Sequence, residues 1–319
     1  MKVSFLIGAA LAITTPLALA QSYPLKPIRI LMPFATGGTD LVTRSLALKL
    51  SPVIGQQVVP EPRTGAGGNI AHEIAAKSAP DGYTLLMAAP PLVINPNLNP
   101  KLGYDPLRDY APIALLATIP NILVVHPSVP ARNLRELVQV ARGHPGKLAY
   151  GSGGVGSTNH LAAELLMSLT KTRMVHVPYK GAALGLVGAM SGEVDVVITT
   201  MSSVAASYVN SGKMRGLAIL DTKRVGTLPQ VPTVAEAGMP QLVAINWYVL
   251  VAPAGTPRSI VERLNAEAVK IMQLPETRER LAAVGGEPAA ATPEQSAEFL
   301  RDEHARWGKV IRDAGIRAE

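Results

Sequence analysis

From residue 28 to residue 251, short apolar runs rich in β-branched residues alternate with amphipathic helical stretches, and this alternation narrows the available folds more than any other feature. Residues 28–32, 57–59, 83–87, 113–117, 121–125, 148–150, 174–177, 194–199, 216–220 and 245–251 read as strands. Most are continuously apolar rather than alternating, as in strands covered on both faces. Helical patterns fall between them at 41–50, 69–77, 134–142, 159–169, 182–191 and 204–211. The pattern predicts an α/β chain with mostly parallel sheets.

Residues 255–319 change character and read as wholly helical. Thr256 is placed to cap a helix starting at Pro257, and Thr292-Pro293-Glu294-Gln295 has the form of a capping box. A short helix follows Leu274-Pro275 and ends at Gly285-Gly286. Two strands joined only by residues 118–121 read as a crossing between domains, and the Pro- and Gly-containing stretch 229–241 reads as the return. The expected organisation is a discontinuous first domain, 21–120 plus 241–319, with a second domain, 121–240, inserted into it. Such a hinge leaves a cleft between the two, a common ligand site.

Residues 1–20 stand apart from the fold: Lys2, an apolar run from 5 to 13 and Ala18-Leu19-Ala20 are the three parts of a secretory signal peptide. Cleavage after Ala20 starts the mature chain at Gln21 and reduces the formal net charge from +7 to +6 through loss of Lys2. Pro16 and the shortness of the run argue against a membrane span. The chain contains no Cys, so neither a lipid anchor on a thiol nor a disulfide framework is available. The expected location is the periplasm. With 48% hydrophobic and 17% charged residues the chain is globular, and its Lys and Arg occur without a basic run, which counts against nucleic acid.

Three glycine-rich turns join a strand to a helix: Pro33-Phe34-Ala35-Thr36-Gly37-Gly38-Thr39-Asp40, Pro62-Arg63-Thr64-Gly65-Ala66-Gly67-Gly68-Asn69, and Gly151-Ser152-Gly153-Gly154-Val155-Gly156-Ser157-Thr158. Glycine lets the backbone approach a ligand, and helix-start N–H groups favour an anion. Three such turns at strand ends predict a small-anion site. The third matches G-x-G-x-x-G, but no acidic residue between Met174 and Gly192 is present to hold a ribose, so a dinucleotide is disfavoured and no cofactor is expected. The six histidines lack zinc spacing, and no G-x-S-x-G surrounds a serine. Asp40 reads as a helix cap or a site residue, and Asp195, within an apolar strand, as either structural or site.

Many short motifs, in order, resemble one family. They include Tyr23-Pro24, Lys26-Pro27-Ile28, Pro33-Phe34 with Gly37-Gly38 and Asp40, Gly65-Ala66-Gly67-Gly68, Pro80-Asp81-Gly82-Tyr83-Thr84-Leu85-Leu86, Asn95-Pro96, Tyr150-Gly151-Ser152, His160-Leu161-Ala162, Val177-Pro178-Tyr179-Lys180-Gly181 and Val231-Pro232-Thr233. Together they resemble the Bug family, periplasmic solute receptors of tripartite tricarboxylate transporters. The resemblance implies a two-domain, Venus-flytrap binding protein, not an enzyme. It would capture a small carboxylated solute as a monomer and deliver it through transient contact with a membrane permease. It also implies that loop backbone groups and water hold the carboxylate. The positions implied for the site are Phe34, Gly37, Gly38 and Asp40 from the first turn, Ser152, Gly154, Ser157 and Thr158 from the third, and Tyr179 and Asp195 facing them.

The chain departs from the family pattern at Thr36-Gly37-Gly38, at Glu61-Pro62-Arg63-Thr64 and at Ala88-Ala89-Pro90-Pro91, where small hydroxyl residues are common. Fewer wall hydroxyls point to a ligand with an apolar or aromatic body beside its carboxylate. The alternatives to a transport receptor are an exported enzyme acting on a small anion, or a receptor feeding a membrane sensor kinase.

Overall fold

The computed structural model describes residues 23–316; the expected signal peptide and its cleavage site lie outside them. Strands and helices alternate as β1 (Ile28–Met32), α1 (Gly38–Ile54), β2 (Val58–Pro62), α2 (Asn69–Ala76), β3 (Thr84–Ala88), α3 (Pro91–Leu98) and β4 (Tyr110–Val125). There follow α4 (Leu134–Gly143), β5 (Ala149–Ser152), α5 (Thr158–Thr170), β6 (Val175–Pro178), α6 (Ala182–Met190), β7 (Val196–Thr200), α7 (Ser203–Asn210) and β8 (Arg215–Ile219). The chain ends with β9 (Ile245–Pro253), α8 (Arg258–Met272), α9 (Pro275–Ala282), β10 (Glu287–Pro288) and α10 (Pro293–Ala314).

The strands run in the order β2-β1-β3-β9-β4-β7-β5-β6, with β8 and β10 also paired to β4. Pairings within β2-β1-β3 and within β6-β5-β7 are parallel, and each antiparallel pairing involves β4 or β9. β3 is buried along its whole length, and β7 over its first four residues, in keeping with their unbroken apolar sequences.

One correction to the sequence reading concerns the crossing. Residues 110–125 are a single strand of 16 residues, not two strands with a turn. Up to Pro120 it pairs with β9; from Asn121 it pairs with β7 and β8. Pro120 lacks an N–H, which reads as a break in a strand, but it stands where the partners change, and its carbonyl accepts Met201 N–H at 2.9 Å.

The C-terminal region also departs from a wholly helical reading, because Glu287 and Pro288 pair with Thr118 and Ala117. Pro257, not Thr256, occupies the cap position of α8, and Thr256 Oγ1 donates to Pro253 O at 2.8 Å. The capping box of α10 forms as expected, Gln295 N–H donating to Thr292 Oγ1 at 3.2 Å and Thr292 N–H to Gln295 Oε1 at 2.9 Å. Further along α10, buried Glu303 accepts from both Trp247 Nε1 (2.9 Å) and Trp307 Nε1 (3.1 Å), tying the helix to β9.

Candidate functional site

Parallel strands in each half of the sheet deliver their C-terminal ends, and the helix starts that follow them, to one side. The two sets face each other across a cleft of about 1180 Å³. Its walls are the turns 33–39, 64–69, 153–159, 179–183 and 199–202, and its floor is Ile119 of β4 with Asn246 and Tyr248 of β9.

The polarity of this cleft comes from helix ends. α1 follows Gly37 (φ 75°, ψ −150°) and α6 follows Gly181 (φ 123°, ψ 151°), backbone shapes open only to glycine, and neither helix has a side-chain cap. Their first N–H groups, from Gly38, Thr39, Ala182 and Ala183, therefore have no partner within the helix. A Cβ added to Gly181 would lie 4.0 Å from Thr36 Oγ1, so the two uncapped ends meet across the opening. By contrast α5 and α7 cap themselves: Ser157 Oγ accepts from His160 N at 3.2 Å and Ser202 Oγ from Ala205 N at 3.1 Å. Uncapped helix starts therefore stand on the cleft at α1 and α6, and at α2, whose cap position is Gly68.

Of the residues expected in the site, Phe34, Gly37, Gly38, Gly154, Ser157, Thr158 and Tyr179 line the cleft. Their local roles differ. Gly38 must be glycine because a Cβ there would overlap the Tyr248 hydroxyl and come within 2.5 Å of its ring carbon Cζ. Gly154 N–H is already donated to Ser152 Oγ at 3.0 Å, and Ser157 Oγ is used as a cap. Thr158 is 2% exposed and its buried hydroxyl has no partner in the protein, which leaves it for a ligand. Tyr179 lies on a bed of glycines, with Cβ positions on Gly151 and Gly185 falling 3.1 and 3.4 Å from its ring.

Three expected positions are corrected, because Asp40, Ser152 and Asp195 do not line the cleft. Asp40 is in the first turn of α1, whose cap is Gly37, and its carboxylate accepts Arg44 Nε at 2.6 Å. Fully buried Ser152 is turned behind the third turn, bonded to His176 Nε2 at 2.7 Å. Asp195 precedes β7 at the end remote from the cleft, where its carboxylate accepts Ala149 N–H at 2.7 Å.

Sequence reasoning placed the α6 start at Ala182 but did not count Gly181 or the helix start among the site positions, since Gly181-Ala182 carries no cap residue. It also missed two buried polar networks. At the floor, Asn121 Oδ1 accepts from Asn159 Nδ2 (2.9 Å) and Asn246 Nδ2 (2.7 Å), and Asn246 also reaches Thr200 Oγ1 (3.0 Å). These amides join the crossing strand to both walls. Behind the second turn, Asn95 Nδ2 donates to Gly67 O (3.1 Å) and Asn69 Oδ1 (2.8 Å), and Tyr104 donates to the same Asn69 oxygen (3.0 Å). The single Tyr104 proton being used, His72 must donate through Nδ1 in their 3.2 Å contact. Burial lowers the His72 pKa to about 3. Beneath the third turn His160 stacks on His176, ring centroids 4.4 Å apart, and burial with the neighbouring His176 lowers its pKa to about 4.

Among the described residues no Asp, Glu or His lines the cleft, so these supply it with no general base or acid of those kinds. Nor do three His, Asp or Glu side chains gather as metal ligands among the described residues. No helix among them is long and apolar enough to cross a membrane. The arrangement can hold an anion and screen it from water.

Comparison with known proteins gives the family. BugT of Bordetella pertussis is 37% identical over 97% of this chain and 95% of its own length. Rpa4515 of R. palustris, solved with adipate, superposes with a TM-score of 0.87 at 35% identity, covering 92% of this chain and 99% of that one. MatC of Rhodopseudomonas palustris, solved with bound malate, gives 0.84 at 31% identity over 91% and 100%. A family model described as "Tripartite tricarboxylate transporter family receptor" matches residues 42–316, and the chain belongs to that family.

Proposed function

We propose that the protein is a periplasmic receptor that encloses a small carboxylated solute between two domains and passes it to a tripartite tricarboxylate-type permease. The observation that carries this reading is the meeting of the uncapped α1 and α6 starts across a cleft that, among the described residues, no acidic side chain lines. A carboxylate there takes backbone N–H groups from both sides, so binding favours closure. Phe34, Gly37, Gly38, Thr158, Tyr179 and Gly181 form its surroundings; Gly154 and Ser157 shape the facing turn. Adipate in one neighbour and malate in another support the ligand class. The change of strand partners at Pro120/Asn121 supports a division into 21–120 plus 241–319 and 121–240. Export, with cleavage after Ala20, and a monomeric receptor touching its permease transiently complete the reading.

A thermal-shift panel of mono-, di- and tricarboxylates tests it. A ligand at a hundredfold excess over Kd adds about 2.7 kcal/mol, a shift of several degrees. At least one acid should stabilise the protein and be recovered unchanged, and its amide should not. Equal stabilisation by amide and acid would refute anion capture, and turnover would refute a receptor.

A further inference from the structure

Tyr248 of β9 lies in the floor of the cleft and is 3% exposed. Its hydroxyl makes no hydrogen bond with any described residue. Burial raises its pKa and no charged group adjoins it, so the phenol keeps its proton and has it to give. A buried hydroxyl without a partner in the protein calls for one from outside. This one stands at the start of α1. A Cβ on Gly38 would fall 1.9 Å from the Tyr248 oxygen, which places that oxygen within about 4.5 Å of Gly38 N. The Gly38 and Thr39 N–H groups have no partner within the helix, and no side chain caps them. The other uncapped starts lack such a neighbour. Beside α2 the amides of Asn69 and Asn95 are already spent on each other, on Gly67 O and on Tyr104. At α6 the group nearest to the Gly181 Cβ position is Thr36 Oγ1, 4.0 Å away on the opposite wall.

We propose that Tyr248 is a ligand-binding residue whose hydroxyl donates to the solute's carboxylate at the α1 start. One carboxylate oxygen takes the helix N–H groups and the other takes the phenol. A side chain fixed in the floor is thereby added to the backbone groups and water that the resemblance implies, and the α6 start closes over an anion already anchored at α1. Every group converging on this point is a donor, which suits an ion that accepts on both oxygens. An amide would turn its own N–H groups towards those donors, so the same arrangement discriminates against it. This rests on the carboxylate capture proposed above.

Tyr248→Phe tests it, because it keeps the ring against Gly38 and removes only the hydroxyl. Wild type and variant are titrated calorimetrically with each acid that stabilises the wild type in the thermal panel, adipate and malate first, and both are unfolded in denaturant without ligand. A hydrogen bond to a carboxylate is worth about tenfold in affinity or more. Tyr248→Phe should lose that factor with every acid alike, whatever its body, since the phenol touches the head they share. The denaturant midpoint of the free protein should not fall, since the hydroxyl has no partner there to lose. Unchanged affinity, a loss confined to some acids, or a midpoint that falls in step with affinity would overturn the assignment and leave carboxylate capture standing. Failure of every acid to bind the wild type would remove capture itself, and the assignment with it.

Discussion

Gly156→Ala should prop the cleft open. Gly156 has φ 77°, and a Cβ there would overlap Asn95 Oδ1 across the opening and lie 3.5 Å from Leu98 Cδ1. Asn95 cannot turn aside without losing its bonds to Gly67 O and Asn69 Oδ1, and it is 6% exposed. The third turn must therefore retreat from α3 by on the order of 1 Å, a steric cost of about 1–3 kcal/mol, or roughly a five- to hundredfold loss of affinity. Backbone strain adds about 1 kcal/mol, felt by the unliganded fold as well. A double-mutant cycle separates these contributions. Asn95→Ala removes the clashing oxygen, so Gly156→Ala in that background should lose only the strain, leaving a coupling of at least about 1 kcal/mol. Titration with whichever carboxylate stabilises the protein, beside denaturant unfolding of the free protein, supplies both readouts. Wild-type affinity for Gly156→Ala, or an equal loss in the two backgrounds, would refute the contact as a limit on closure.

Thr158→Val should weaken carboxylate binding by about three- to tenfold without lowering stability, because the hydroxyl it removes is buried and has no protein partner; a loss of stability with unchanged binding would mark that hydroxyl as structural. Acid should destabilise the fold as pH drops below about 6.5 towards 4. His160, at about 4 in the folded chain through burial and the adjacent His176, binds its proton less readily than the unfolded chain does, so its contribution is complete above the ordinary histidine pKa and lost on acidification. His160 alone accounts for about 3 kcal/mol, His72, lowered to about 3 by burial, adds to the loss over the same range, and denaturant midpoints that stay level across it would contradict both.

Much of the architecture is legible in the sequence because covered strands are apolar throughout and the intervening helices begin at glycine-rich turns. The lapses have local causes. Pro120 reads as a break because a proline normally interrupts pairing, and only the exchange of β9 for β7 and β8 accommodates it. The helix at 91–98 is absent from the sequence reading, since its residues 91–95 are all buried and show no second, polar face, and Pro96 stands inside it. At the site, the first turn contributes free helix N–H groups as its glycines imply. The third spends several of its donors on itself, Gly154 on Ser152 and His160 on Ser157, a distinction that depends on where side chains settle. Asp195 belongs to the structural of its two readings, just ahead of β7 and away from the cleft, because an apolar run has no mark for which terminus meets the cleft.

The shared carboxylate of Glu303 has an optical consequence. Trp247 and Trp307 are the two tryptophans of the chain, and both indoles are fully buried and hydrogen-bonded to one oxygen atom. Neither lines the cleft. Their emission therefore reports a single event, the detachment of α10 from β9, and should stay nearly constant while solute binds. A change in tryptophan fluorescence on adding a carboxylate would mean that closure reaches the C-terminal helix, so the same two residues that make a clean unfolding signal also serve as a strain gauge at the back of the molecule.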